Sequence, residues 1–237
     1  MSIQQPLDGT SATRTAEMQF AAVREQLVER RRALGMSMSA LARRVGVSPS
    51  MISQIERGQS LPSVETLFAL AAALGATVDT FFSTSQSEPL EEAGRTRPPA
   101  QGETRDPATG AAGEHSYVVR RDRRAAINIQ GGVRWERLTP QTLEDVEFLE
   151  LIYEPGAESN EDLYRHSGFE MVMVLEGRFE IQIGFEKHVL EPGDSIAFAS
   201  SLPHRYRNLL SEPSRAITTI LRDPALLIQP ISADLGT

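Results

Sequence analysis

"MSALARRVGVSPSMISQIERG", residues 38–58, holds two short helical patterns on either side of one glycine. Leu41, Ala42 and Val45 recur at helical spacing and stop at Gly46. Ile52 and Ile55 do the same beyond it and stop at Gly58. Ala42 is small enough for two helices to cross closely, and Gly46 can take a left-handed turn between them. Ser48 is a good N-cap with Pro49 at the first helical position, so the second helix begins there. Its outer face carries Ser50, Ser53, Gln54 and Arg57, at i, i+3, i+4 and i+7. That mixture suits a helix lying in a DNA major groove. Glutamine bonds adenine through two hydrogen bonds, and serine reaches a base edge or a phosphate. Arg43, Arg44 and Arg57 are the candidate phosphate contacts, and Ser48 and Pro49 bring the start of the helix to the same surface.

The flanks complete a small all-α bundle of about five helices over residues 16–82. Phe20, Val23, Leu27 and Leu34 predict a helix over about 15–34, stopped by Gly35. After Ser63 a further helix buries Leu67, Leu70, Ala71 and Leu74 and ends at Gly75. The turn "VDTFF" then brings Phe81 and Phe82 over the bundle. Residues 1–15 read as a flexible N-terminus. Residues 83–116 are rich in Pro, Gly, Ser and charge, with almost no large apolar side chain, and read as a linker.

From residue 117 to 237 the texture is different. Ten short β-rich stretches, from "SYVVRR" and "AAINIQ" to "HRYRNL" and "RAITTILR", are separated by Gly and Pro turns such as "EPGAES" and "LEPGDS". They predict an all-β barrel or sandwich.

Composition sets bounds on partners. The formal net charge is −8, but its distribution is uneven. Residues 1–85 hold eight arginines against seven acids, whereas residues 86–237 hold sixteen basic residues against twenty-five acids. Phosphate should be repelled by the second half, so any DNA contact is a local arginine face in the first. No apolar run is long enough to cross a membrane, and the N-terminus lacks the pattern of a secretory signal, so a cytoplasmic protein is expected. With no cysteine, disulfides and thiol chemistry are excluded, and a metal would have to use His, Asp, Glu or Tyr.

Residues 18–82 closely resemble the helix-turn-helix of the Cro/lambda-repressor-like (XRE) family. The matching positions are Ala42, "GVS" at 46–48, "IS" at 52–53, Glu56 and Gly58. The resemblance implies a sequence-specific DNA-binding domain in which Glu56 ties helices together rather than reading bases. Ser39 and Ala40 depart from the family, which often carries Gln or a charge there.

Residues 145–222 resemble the cupin superfamily, which implies a jelly-roll barrel. Its first motif is read here as Gly156, Tyr164-Arg165-His166, Glu170 and Gly177, and its second as Pro192-Gly193-Asp194, Pro203, His204 and Asn208. Tyr164, His166 and Glu170 share strand parity, as do His204, Tyr206 and Asn208, so these six can line one effector pocket inside a barrel. Two imidazoles and a carboxylate would suit Zn, Ni, Mn or Fe, with His166, Glu170 and His204 as ligands and Tyr164 as a candidate fourth. Tyr164 stands where the family's first metal histidine would be, and a phenol is a poor ligand unless a cation lowers its pKa. An inward histidine bonded to an inward glutamate, with no metal, is the competing reading.

Three functions follow from this organisation. The first is a transcriptional regulator: a homodimer that binds a double-stranded operator through the helices and senses a small-molecule effector in the barrel. The second is a metal-dependent cupin isomerase or dioxygenase that carries a DNA-binding domain. The third is a barrel that serves as a dimerisation block. The missing metal histidine weakens the enzyme reading, and the regulator is favoured.

Overall fold

A computed structural model describes residues 23–82 and 117–222. The expected flexible N-terminus, the expected start of the first helix before residue 23, the expected linker at 83–116 and residues 223–237 lie outside the described residues.

The helices begin where serines can cap them. Residues 23–33 are helical (α1), followed by α2 (Met38–Val45), α3 (Pro49–Glu56) and α4 (Val64–Ala73). Ser37, Ser48 and Ser63 each accept a hydrogen bond from the backbone N–H three residues on, at 3.1, 3.1 and 3.2 Å. Gly46 ends α2 at φ 82°, a conformation that a side chain resists. Leu27, Leu41, Ile52, Leu67 and Leu70 are fully buried between the helices. "VDTFF" folds as a 3-10 turn (Val78–Phe81) that seals the bundle with Phe81 and Phe82.

The second half is an antiparallel two-sheet β structure. Its strands are β1 (Ala126–Ile129), β2 (Val133–Arg137), β3 (Val146–Tyr153), β4 (Phe169–Glu176), β5 (Phe179–Ile183), β6 (Glu186–Leu190), β7 (Ser195–Ala199), β8 (His204–Asn208) and β9 (Ser214–Leu221). One sheet runs β1-β2-β3-β9-β4-β7 and the other β6-β5-β8. A bridge between Tyr164 and His204 extends the second sheet towards the 158–164 segment. Gly177 turns β4 into β5 at φ 81°, where an added Cβ would meet Ser214 Oγ at 2.1 Å. Nine of the ten expected strands form among the described residues. The exception is "SYVVRR", where Tyr117 is 93% exposed and Arg121–Arg123 form a 3-10 turn. Without a covering layer, its apolar residues have no face to bury.

The two halves dock directly. Gln130 N–H donates to the Pro62 carbonyl (3.0 Å), Val78 N–H to Glu147 Oε1 (3.2 Å) and Asn160 Nδ2 to Glu65 Oε2 (3.1 Å). Glu147 is also paired with Arg222. On the helical side the contact is made by α4, its flanks and the 3-10 turn.

Candidate functional site

The outer face of α3 stays open to solvent in the docked arrangement. Ser50, Gln54, Arg57, Pro49 and Arg43 are exposed, and Ser53 is half-buried. The Ser48 hydroxyl is occupied as the helix cap, so its place is at the start of α3 with its oxygen already engaged. Arg44 is exposed, but its Nη1 lies 3.4 Å from the Ala73 carbonyl, at the C-terminal end of α4. Arg31 holds Glu56 through two nitrogens, Nη2 at 2.9 Å from Oε2 and Nε on Oε1, and also donates to the Met36 carbonyl at 2.8 Å. Glu56 is therefore turned away from the reading face and ties α3 to the end of α1. Met51, 39% exposed beside Ser50, is a surface apolar residue that the sequence reading did not place.

Inside the barrel, His166, Glu170 and His204 come together, with ligand atoms all within 4.8 Å of one another. Glu170 lies on β4 and His204 on β8, while His166 sits on the rim segment before β4. His166 Nδ1 lies 3.0 Å from the Ser167 carbonyl and His204 Nδ1 lies 2.8 Å from the Leu202 carbonyl. A carbonyl only accepts, so each Nδ1 carries a proton and each Nε2 is the nitrogen turned towards Glu170. Those two Nε2 atoms lie 2.6 and 3.4 Å from Glu170 Oε1, yet neither makes a hydrogen bond of good geometry to any described group. Two imidazole nitrogens and a carboxylate oxygen thus converge on one buried place, a donor set that fits a divalent cation taking the place of the protons between them.

Neighbouring groups tune this cluster. Tyr206 donates its hydroxyl to Glu170 Oε2. Burial works against the charged form of Glu170, but the His166 and His204 imidazoles outweigh it and hold its carboxyl far below the ordinary carboxylate range. Burial, with the nearby Glu170 charge, pushes the Tyr164 and Tyr206 phenols well above their ordinary value. Tyr164 borders the site, its ring edge-on to His204 with centroids 4.5 Å apart. Its neutral phenol is a weak donor to a metal, which leaves a three-ligand set.

Asn208 has another part. Its Nδ2 lies 3.1, 3.0 and 2.7 Å from the carbonyls of Tyr153, Glu154 and Glu212. Its Oδ1 accepts from Leu210 N–H and Ser214 Oγ. With every polar group engaged, Asn208 pins the β8–β9 connection to the end of β3. It shares the inward parity of His204 and Tyr206 but borders neither of the two cavities described below.

Sequence reading did not find Phe68. This α4 residue stacks on the His166 ring with centroids 3.7 Å apart and planes within 7°. It also meets Trp135 edge-on at 5.9 Å. The available signal was an aromatic residue on the side of α4 away from Leu67, Leu70 and Leu74.

Known proteins show the same division of the chain. The helix-turn-helix family model matches residues 27–81 and the cupin-domain model residues 149–220. The HTH-type transcriptional regulator SutR of Escherichia coli K12 is 28% identical over 182 residues, which cover 77% of this chain and 84% of SutR. An uncharacterized transcriptional regulator in the ATPase CF(0) region of Rhodospirillum rubrum is 41% identical over 73 residues, 31% of this chain and 68% of that protein. The crystal structure of an HTH_3 family transcriptional regulator from Vibrio cholerae shares the fold, with a TM-score of 0.58 at 22% identity, over 88% of this chain and 99% of that one. With α3 exposed on a capped four-helix bundle and a β barrel behind it, this chain belongs to the Cro/lambda-repressor-like (XRE) family of DNA-binding helix-turn-helix transcriptional regulators, in the form that carries a C-terminal cupin domain.

Proposed function

We propose that this regulator binds a double-stranded operator as a homodimer and that its barrel senses a small-molecule effector at a divalent metal held by His166, Glu170 and His204. The observation that carries the sensor reading is the pair of backbone carbonyls on the two Nδ1 atoms, which turns both Nε2 atoms towards Glu170 as metal ligands would need. When bound there, a divalent ion would offer an open coordination position to a carboxylate, carbonyl or hydroxyl of the effector. The protein's own residues do the rest. Tyr206 orients the Glu170 carboxylate, and Trp135 and Tyr153 wall the interior.

Base reading is assigned to Ser50, Ser53 and Gln54 on α3, with Arg57 and, on α2, Arg43 and Arg44 as phosphate contacts beside them. A near-palindromic operator would place two such helices about one turn apart, roughly 34 Å. Dimerisation through the barrels is supported by the outward face of β4. Met171 and Met173 are 36% and 47% exposed there, next to Ala197 and Ser195 on β7 and Thr219 and Ile217 on β9. A small apolar patch of this kind, bordered by the Arg215 pairs with Glu150 and Glu176, suits a second copy of the same sheet.

The test is native mass spectrometry of the chain purified from its own host without chelator. A bound divalent ion in a dimer, absent from His166→Ala/His204→Ala, is the expected result. An ion that persists in the double variant, or its absence from the wild type, defeats the metal assignment. Metal-dependent turnover of a small acid or sugar by the full chain would favour the enzyme reading.

A further inference from the structure

We propose that Phe68 is a plug supplied by the DNA-binding domain: it fills the mouth of the barrel site, so an effector can occupy the barrel only by lifting Phe68 and undocking α4. This rests on the reading that the barrel takes an effector, and adds where the competition lies.

Room is the first argument. The interior of the barrel beside Glu170, walled by Phe68, Trp135, Tyr153, Tyr164 and Tyr206, has about 10 Å³ free. That admits about one water molecule, whereas pockets for organic ligands run to about 300–1,000 Å³. Phe68 is the residue that the helical domain contributes to this wall. Its ring lies flat on His166 and edge-on to Trp135, where the body of a planar or carboxylate-bearing ligand would have to pass. Removing that ring is the change that opens the site without rebuilding the barrel.

The second argument is that the docked state is loosely made and so can be reversed. Outside Phe68, between α4 and the rim segment 163–167, a cavity of about 460 Å³ remains. Apart from Glu65 and Phe68, its helical wall is made of small side chains, Ala69, Ala71, Ala72 and Ala76. Such a gap forfeits the dispersion contacts that a tight interface would gain. Two buried carboxylates at this seam, Asp79 and Glu147, keep oxygen atoms without a hydrogen-bond partner among the described residues. Desolvation of these groups offsets much of their attraction to Arg137 and Arg222.

Undocking matters for DNA because α4 shares a core with α2 and α3. Docked heads on a barrel dimer have one separation, set by the barrels. Released heads do not, and lose the advantage of a fixed half-site spacing. A ligand that binds only the undocked form shifts this equilibrium by its own affinity for that form.

The chain has no cysteine and one tryptophan, Trp135, beside the plug, which makes the test clean. In the full-length protein, Glu65→Cys and Asn160→Cys, whose native side chains meet at 3.1 Å, are joined by a short bis-maleimide. Access is read in two ways: the rate of Co²⁺ uptake by visible absorption, and acrylamide quenching of Trp135. Joining the domains should slow Co²⁺ uptake about tenfold or more, as expected when access needs a minor open state. It should lower Trp135 quenching as well. Phe68→Ala in the joined chain should restore both, whereas Phe68→Leu, which keeps the bulk, should not. Joining without effect on either readout overturns the plug, as does a Phe68→Ala chain that stays closed when joined. If no variant takes up Co²⁺, the metal assignment fails by itself, and quenching of Trp135 still decides the plug.

Discussion

Asp79 of the helical domain and Arg137 of the barrel face each other across the domain boundary, Oδ2 to Nη1 3.6 Å, with both side chains nearly sealed from water. Burial raises the Asp79 carboxyl above the ordinary carboxylate range, although Arg137, Thr142 and Arg222 all pull it down. The docked form therefore holds the Asp79 proton more tightly than an undocked form in which that carboxyl is hydrated. Its contribution to docking is fully present below the hydrated pKa and is lost as pH rises through the docked one. Docking should tighten as pH falls from neutral into the carboxylate range, seen as weaker acrylamide quenching of Trp135. Asp79→Asn should flatten that part of the profile. An unchanged profile would assign the pH dependence to other groups.

The reading helix makes a prediction that separates its two kinds of contact. Gln54→Ala should cost about 1–3 kcal/mol of discrimination between the operator and a sequence altered at one base pair. Arg57→Ala should weaken all sequences alike and lower the salt slope of binding by about one. Fluorescence anisotropy on a selected operator at several salt concentrations measures both. Equal loss of discrimination in the two variants would contradict the division of roles.

Glu56 should matter for stability rather than for DNA sequence. Its side chain and that of Arg31 are about nine-tenths covered, at 10% and 11% exposure. Glu56→Ala strands a nearly buried guanidinium with only the Met36 carbonyl, and should destabilise the helical domain by about 3 kcal/mol. Urea unfolding followed by far-ultraviolet circular dichroism would measure it. Glu56→Gln should lose less, since it keeps one hydrogen bond to Arg31.

Tyr206 should act on the metal through Glu170. Tyr206→Phe removes the hydroxyl that holds Glu170 Oε2 and leaves the ring in place. Divalent-metal affinity should fall about tenfold or more with the fold intact, as for other groups that orient a ligand. Competition with a chromophoric chelator gives the number, and unchanged affinity would remove Tyr206 from the site's support.

Much of this organisation was legible in the sequence because it repeats at short range. Serine caps, stop glycines and helical spacing place α2, α3 and α4, and strand parity brings Glu170, His204 and Tyr206 to the interior, while Tyr164 and His166 come to the same place from the segment before β4. Asn208 obeys the same parity, yet its contacts run to loops that parity does not describe. Ten strands were expected where nine form, since β-rich composition in "SYVVRR" says nothing about a covering layer. The docking of the two domains left no periodic trace. Phe68, Asp79 and Glu147 are an exposed-side aromatic and two ordinary acids until the other domain arrives. Interfaces between domains are written in surface residues, each of which has a simpler explanation by itself.

The last strand of the barrel among the described residues, β9, lies in the middle of its sheet, between β3 and β4. On the ribosome, the helical bundle can form as soon as it emerges, since its core residues among those described fall within 23–82. The barrel must wait until residues 214–221 have been made. A message cut before Ser214 would yield a folded helix-turn-helix head without a closed barrel, and so without the barrel pairing proposed to space two heads on one operator.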